Sequence, residues 1–402
     1  MLSAALTALD SLGTNEIVFP KLGIDLHIKS VAFTVFGASI TWYGILITAG
    51  MMLAMIYLFK RIRSFGIDPD RAIDGIIGGV IGGIIGARAY YVIFHWSEYA
   101  GDWKAIFNIR NGGLGIYGGL IGALLVGSVV CKLRKVRLRP MYDIVSLGFL
   151  IGQCIGRWGN FTNHEAFGKN TDWITGMSSG KIQAWIARNY TDGSVVPDQP
   201  VHPCFLYESV WCLLGFVLLH FVSKKRKFDG QIFLMYVIWY GTGRFFIESL
   251  RTDSLYLGTV KVSQLVAVVS VAAALVLLLI GLSHAKRMGS DQVLYVDTEE
   301  SKALLEEADR RELEALEKRN RKAAKQEEPE QTESILADEP ETSEADEEAL
   351  ARKKAEQAKR DAENDALIAE IAAEAAKAEQ PAAESDAETP AEEESEPETP
   401  ES

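Results

Sequence analysis

Gly156-Arg157-Trp158-Gly159-Asn160-Phe161-Thr162-Asn163-His164-Glu165, closing at Gly168, follows directly on the apolar run 144–155. The run reads as a membrane helix, so the polar stretch lies where that helix leaves the bilayer. Arg, two Asn and Glu are costly beside hydrocarbon and persist there only when they face protein, water or an anionic ligand. Arginine grips a phosphate with two parallel hydrogen bonds. The stretch therefore points to a site for a lipid phosphate within a membrane protein.

Working outward, seven apolar segments approach the roughly 20 residues needed to cross a bilayer. They fall at 38–59, 73–94, 112–131, 142–157, 203–222, 231–248 and 260–283. The reading is an all-α polytopic membrane protein with seven transmembrane helices. Lys and Arg mark cytoplasmic connections. They gather after the first span (Lys60, Arg61, Arg63, Arg71), the third (Lys132, Arg134, Lys135, Arg137, Arg139), the fifth (Lys224, Lys225, Arg226, Lys227) and the seventh (Lys286, Arg287). That alternation puts the N-terminus outside and the C-terminal tail in the cytoplasm. Residues 158–202 then form an extracytoplasmic cap. On this map Tyr43, Arg88, Tyr91, Tyr117, Arg157, His202, Glu208, Arg244 and Glu248 all fall in the outer half, so the site faces the outer leaflet.

Charge divides the chain. Residues 1–288 hold 27 Lys+Arg against 17 Asp+Glu, and residues 289–402 hold 14 against 37. The acidic part is rich in Glu, Ala, Pro and Ser and poor in aromatics, and it buries too little apolar surface to offset its chain entropy. Three regions follow: an N-terminal extracytoplasmic arm at 1–37, a catalytic membrane domain at 38–288, and a mostly disordered cytoplasmic tail at 289–402 that catalysis does not need. Within the tail, 300–325 has mixed charge at helical spacing and reads as a solvated helix. Met1 to Lys21 lacks the basic start and long apolar core of a signal peptide.

Gly75, Gly78, Gly79, Gly82, Gly83 and Gly86 recur at three- and four-residue spacing, which lets helices approach closely. The Gly-rich run 111–119 has no GxxxxGK[ST] pattern, so it is not read as a nucleotide loop. Arg244 and Glu248 share a helix face, with Tyr240 one turn earlier; the alternatives are a packing salt bridge or a second phosphate-directed cation oriented by Glu248. No GxSxG elbow and no HExxH metal pattern occurs. Cys131, Cys154, Cys204 and Cys212 form no CxxC pair and read as buried small hydrophobes.

Several of these motifs together resemble one family. The signature at 156–168, Trp42-Tyr43-Gly44, Gly86-Ala87-Arg88, the run 117–122, His202-Pro203 with Tyr207-Glu208, and Tyr240-Gly241 with Gly243-Arg244-Phe245 and Glu248 are similar to those of the prolipoprotein diacylglyceryl transferases. The resemblance covers roughly 15–285 and leaves the tail without a counterpart. It implies a bacterial plasma-membrane enzyme that moves the diacylglyceryl group of phosphatidylglycerol onto the lipobox cysteine of preprolipoproteins, releasing glycerol 1-phosphate. It also implies roles. Arg157 and Arg244 bind the lipid phosphate, and Asn160, Asn163, Glu165 and Gly168 shape the headgroup pocket. Tyr43 lines the cavity and Glu248 orients Arg244; Arg88, His202 and Tyr240 complete the substrate-binding set. Tyr117 stands where some members carry a His assigned as the thiol's base. A phenol of ordinary pKa ~10 is a poor base at neutral pH, so Tyr117 is expected to hydrogen-bond rather than deprotonate. The partners implied are phosphatidylglycerol, preprolipoproteins and the bilayer, with no nucleic acid, no metal and no cofactor.

Two other classes are compatible with the chain. A lipid or solute transporter needs a polar pathway through both halves, whereas the polar residues stop in the outer half. A scaffold acting through the acidic tail leaves the Arg-Asn-Asn-Glu cluster without a purpose.

Overall fold

A computed structural model describes residue 13, residues 15–109 and 112–327, and the isolated positions 348, 351, 352, 355, 358 and 359. The remaining tail residues, and the expectation of disorder there, lie outside the described residues. The chain divides into two compact units, 1–308 and 309–402.

Each of the seven apolar segments contains a helix. They are α1 (Trp42–Arg61), α2 (Pro69–Phe94), α3 (Ile116–Leu133), α4 (Leu138–Asn163), α6 (Cys204–Ser223), α7 (Gln231–Leu250) and α8 (Val262–Met288), with a shorter α5 (Gly180–Asn189) between α4 and α6. Five are long and apolar enough to cross a membrane; α4 and α7, the two that carry the signature arginines, are the others. Outward residues such as Met52, Ile85, Leu125, Leu214 and Ile280 are exposed. Apolar side chains on so many outer faces are the surface a bundle shows to lipid rather than to water.

The helices pack as pairs: α2 on α3, α1 on α4, α6 on α4 and α7, and α7 on α8. The glycine ladder of α2 is a packing device. A Cβ on Gly82 would stand 2.5 Å from the Gly122 carbonyl oxygen of α3, closer than those atoms can approach. On the α6–α7 side, Trp211 and Trp239 stack at 4.4 Å between ring centres. Each indole donates to the other's backbone carbonyl at 2.9 Å.

The all-α expectation needs correction at the cap. The N-terminal arm is not a free extension: β1 (Glu16–Phe19) pairs with β2 (Ile24–His27) and, from across the sequence, with β5 (Ser178–Ser179). A hairpin of β3 (Val31–Val35) and β4 (Ala38–Thr41) leads into α1, whose N-terminus Thr41 caps. A second short hairpin, β6 (Tyr256–Leu257) and β7 (Val260–Lys261), joins α7 to α8. Ile17 and Phe19 of the arm pack with Phe161, Met177, Ile182, Ile186 and Phe205 in one buried cluster. Arm, cap and the ends of α4 and α6 therefore share a core.

The first unit also runs to Ala308 rather than ending at 288. Residues 289–308, expected as loose tail, include the start of helix α9 (Glu299–Glu327) and make specific contacts with the basic connections. Their apolar and hydroxyl anchors, Tyr295 and Ser301, are buried; averaging composition over 289–402 hides them. In the second unit the described residues up to 327 continue α9, a charged helix as its spacing predicts.

Candidate active site

The signature is helical for longer than its composition suggests. Instead of leaving the helix at Arg157, the chain continues α4 to Asn163. The alternating character of 157–161 explains this. Phe161 stacks on Phe205 with ring centres 4.7 Å apart, and Trp158 meets Phe205 edge-on at 5.6 Å. Phe161 and Phe205 are buried on one face with the half-exposed Trp158 at its edge, and Arg157 and Asn160, three residues apart, share another face. Gly159 gives Tyr43 its place, since a Cβ there would stand 2.7 Å from the Tyr43 ring. The helix closes on His164 in the left-handed conformation, φ 62°. Ala166 follows with φ 58°. Two such non-glycine residues flanking Glu165 mark a turn held by its surroundings. Glu165 Oε1 accepts from Asn160 Nδ2 at 3.0 Å and Asn163 Nδ2 at 3.3 Å. Tyr43 lies within electrostatic reach of Glu165 and Arg157.

Glu208, on the first turns of α6, is the centre of charge. It is 3% exposed and pairs with three guanidiniums: Arg157, Arg244 at 2.7 Å and Arg251 at 3.3 Å. Arg244 Nη2 also lies 2.6 Å from Glu248 Oε2, one turn on in α7. Arg251 places Nε and Nη2 on Asp253 at 2.9 and 2.6 Å. Tyr240 lies within the field of Arg157, Glu208 and Arg244. The arginines differ in what they have left to give. Arg251 is committed to Glu208 and Asp253. Arg244 is split between two carboxylates. Arg157 has one ion-pair partner among the described residues, so most of its five-donor fork is available to an anion.

Two elements hold this cluster in place. The cap is sewn to the end of α7: Lys169 N donates to Leu250 O, Tyr190 OH to Thr252 O, and Gly168 bridges Arg251. Gly168 fits because it has no side chain; a Cβ would stand 2.8 Å from Leu250 O and 3.0 Å from Cys204 Sγ. Gly168 N also donates to His202 O at 2.8 Å. The His202 ring faces Tyr207 OH at 3.2 Å, and burial depresses its pKa below the usual imidazole value.

Two expected site residues stand apart. Arg88 donates to the backbone carbonyls of Ile106 (2.7 Å), Ala105 (2.7 Å), Gly112 (3.1 Å) and Gly113 (2.9 Å) and lies over the Tyr99 ring. Four bonds to carbonyls fasten Ala105, Ile106, Gly112 and Gly113 to α2. Tyr117 has Ser263 Oγ, 3.5 Å away, as its hydrogen-bond partner among the described residues. Conversely, Arg251 and Asp253 carry no motif and were missed. Glu208 stood in the quoted motif without a role; a carboxylate at the start of an apolar helix was the signal for it.

The arrangement can take a lipid anion from one side while balancing buried charge from the other. The comparisons agree with that chemistry. The family model described as prolipoprotein diacylglyceryl transferase matches residues 30–280. A protein of Clostridioides difficile (strain 630) is 42% identical over 246 residues, 61% of this chain and 92% of the relative. One of Clostridium novyi (strain NT) is 40% identical, over 62% of this chain and 94% of the relative. One of Finegoldia magna is 43% identical, over 61% and 93%. All three are named phosphatidylglycerol–prolipoprotein diacylglyceryl transferase. A match across more than half of the chain, over the same helices that carry Arg157, Glu208 and Arg244, places this protein in the prolipoprotein diacylglyceryl transferase family.

Proposed function

We propose that this chain transfers the diacylglyceryl group of phosphatidylglycerol to the lipobox cysteine of preprolipoproteins in a bacterial plasma membrane, with Arg157 as the principal phosphate ligand. The observation that carries the assignment of Arg157 is its largely uncommitted fork beside two arginines already held by carboxylates. The cysteine sulfur attacks the glyceryl carbon, the carbon–oxygen bond to phosphate breaks, and the electron pair leaves on glycerol 1-phosphate. Arg157 and Arg244 offset the growing charge, which is stabilisation by donors set in place beforehand. Their positive field also favours the thiolate, the reactive form of the cysteine. Asn160 and Asn163 fix Glu165 at the pocket rim, and Tyr43 and Tyr240 wall it. Glu208 and Glu248 position the arginines, Gly168 and His202 hold the cap against α7, and Arg88 keeps the 105–113 connection in place. Tyr117 contributes a hydrogen bond.

The basic connections support seven crossings with the N-terminus outside and the signature end toward the outer leaflet. On this reading α4 and α7 cross the bilayer with their polar faces turned inward, since buried Asp143, Glu208 and Glu248 are matched by donors within the bundle.

The test is transfer from phosphatidylglycerol to a lipobox peptide by purified variants. Arg157→Ala is expected to lose on the order of 10²–10³ in rate, the usual cost of removing one such donor. Arg157→Lys should recover little, having no planar fork. Near-normal transfer by Arg157→Ala would remove it from the site.

A further inference from the structure

Residues 289–308 follow the region matched by the family model, which ends at 280, yet they are tied into the first unit at several independent points. Tyr295 N donates to Asp229 Oδ2 at 2.8 Å, and the Tyr295 ring, 8% exposed, lies beneath the Arg137 guanidinium. Ser301 is fully buried and its hydroxyl donates to Gly66 O at 2.9 Å. Gly66 turns with φ 75°, and a Cβ on it would stand 2.7 Å from Val296 Cα. Glu300 pairs with Arg137 at 2.5 Å and Glu307 with Arg71 at 3.1 Å. The segment thus grips three connections at once: the turn after α1, the link between α3 and α4, and the link between α6 and α7.

Beneath it, those links are the roots of the catalytic helices. Asp143 of α4, with no exposed surface, accepts from Gly230 N at 2.7 Å and Phe233 N at 2.8 Å and so caps α7 from a neighbouring helix. Asp229, which Tyr295 holds, immediately precedes that cap. Arg226 lies over the Phe65 ring at 4.2 Å and donates to Ser64 O. Helices α4 and α7 carry Arg157 and Arg244 at their opposite ends. A shift of one root against the other would change the spacing of the two guanidiniums.

We propose that residues 289–308 form a strap across the basic end of the bundle, which holds α4 and α7 in register and so positions Arg157 and Arg244 from the far end. The strap is part of the catalytic unit and not of the acidic tail. Its residues touch no substrate, and their effect on transfer passes through the two helices. Only the transfer measurement rests on the diacylglyceryl-transfer reading; exchange and melting do not.

The experiment uses the full chain. Ser301→Lys places a charged stem where no space exists and should lift the strap. Ser301→Ala loses one hydrogen bond and should leave it docked. Hydrogen exchange in detergent micelles is expected to show the amides of 295–307 protected in the parent and in Ser301→Ala, and open in Ser301→Lys. The lifted variant should melt about 5 °C lower or more and lose kcat severalfold, with KM for phosphatidylglycerol little changed. A lifted strap with parental melting and kcat overturns the proposal. So does an unprotected strap in the parent, a measurement that stands even if Ser301→Lys fails to insert.

Discussion

Tyr117 and His164 show how a residue's surroundings decide its chemistry. The Tyr117 hydroxyl reaches Ser263 at 3.5 Å, the far limit of a hydrogen bond. Tyr117→Phe is expected to cost about tenfold in rate, the equivalent of one modest hydrogen bond. A loss on the order of 10²–10⁴, with the alkaline side of the pH profile displaced, would instead mark it as the thiol's base. His164 is 5% exposed, and burial, aided by the charge of Lys181, depresses its pKa below the ordinary imidazole value. The folded state therefore binds fewer protons here than the unfolded chain. Stability should fall as pH drops below about 6.5, the unfolded value, and stop falling once pH passes under the folded value. His164→Asn, which tolerates the left-handed turn, should flatten that slope in melting against pH; an unchanged slope would clear His164. At this scale, Arg157, Asn160, Asn163, Glu165, Arg244 and Glu248 were visible in the sequence because each is a polar residue where an apolar helix ends. Arg251 and Asp253 were invisible because a charged pair in a loop has no reason to stand out until the fold brings Glu208 to it. Arg88 is a different case: a guanidinium in an apolar helix signals buried acceptors, and the carbonyls of Ala105, Ile106, Gly112 and Gly113 that take it up are brought to it only by the fold.

Among elements, the α2–α3 pair depends on backbones in contact. Gly82→Val should disrupt it, because the atom in the way is the Gly122 carbonyl of a rigid helix, 2.5 Å from the new Cβ. Overpacking of this kind costs about 1–3 kcal/mol or more. Gly152→Ala in α4 is the matched control: nothing lies within 4 Å of its Cβ, and an alanine in a helix interior is favoured by up to ~1 kcal/mol. Melting of the two purified variants in micelles decides it, and equal midpoints would refute the close-packing account. The seven helical segments were legible because a long apolar run admits little else. The cap strands were not. Four-residue strands such as β1 and β2 carry no readable period, and β5 is the pair Ser178–Ser179, whose pairing with the arm is a tertiary fact. The end of α4 lies beyond the first charge of the signature, because Phe161 stacks on Phe205 and meets Trp158 edge-on and so keeps that turn in the helix.

For the whole molecule, the division of charge located a boundary but set it too soon. Composition averages 289–402 into one acidic tail, while the contacts assign 289–308 to the first unit and leave 309–402 as the second. The two parts should behave differently when removed. A chain stopped after Ala308 retains every anchor named above, Tyr295, Glu300, Ser301 and Glu307, together with every residue named for the candidate site. Its kcat and KM for phosphatidylglycerol and a lipobox peptide are expected to match those of the full chain within about twofold, since changes away from packed or paired groups rarely exceed ±0.5 kcal/mol. The expectation of a tail dispensable for catalysis thus applies from 309 and not from 289. The measurement is steady-state transfer by both proteins in the same detergent, with melting as the check on folding. A truncated protein that melts like the parent yet has lost most of its transfer would show that the second unit acts on the reaction itself.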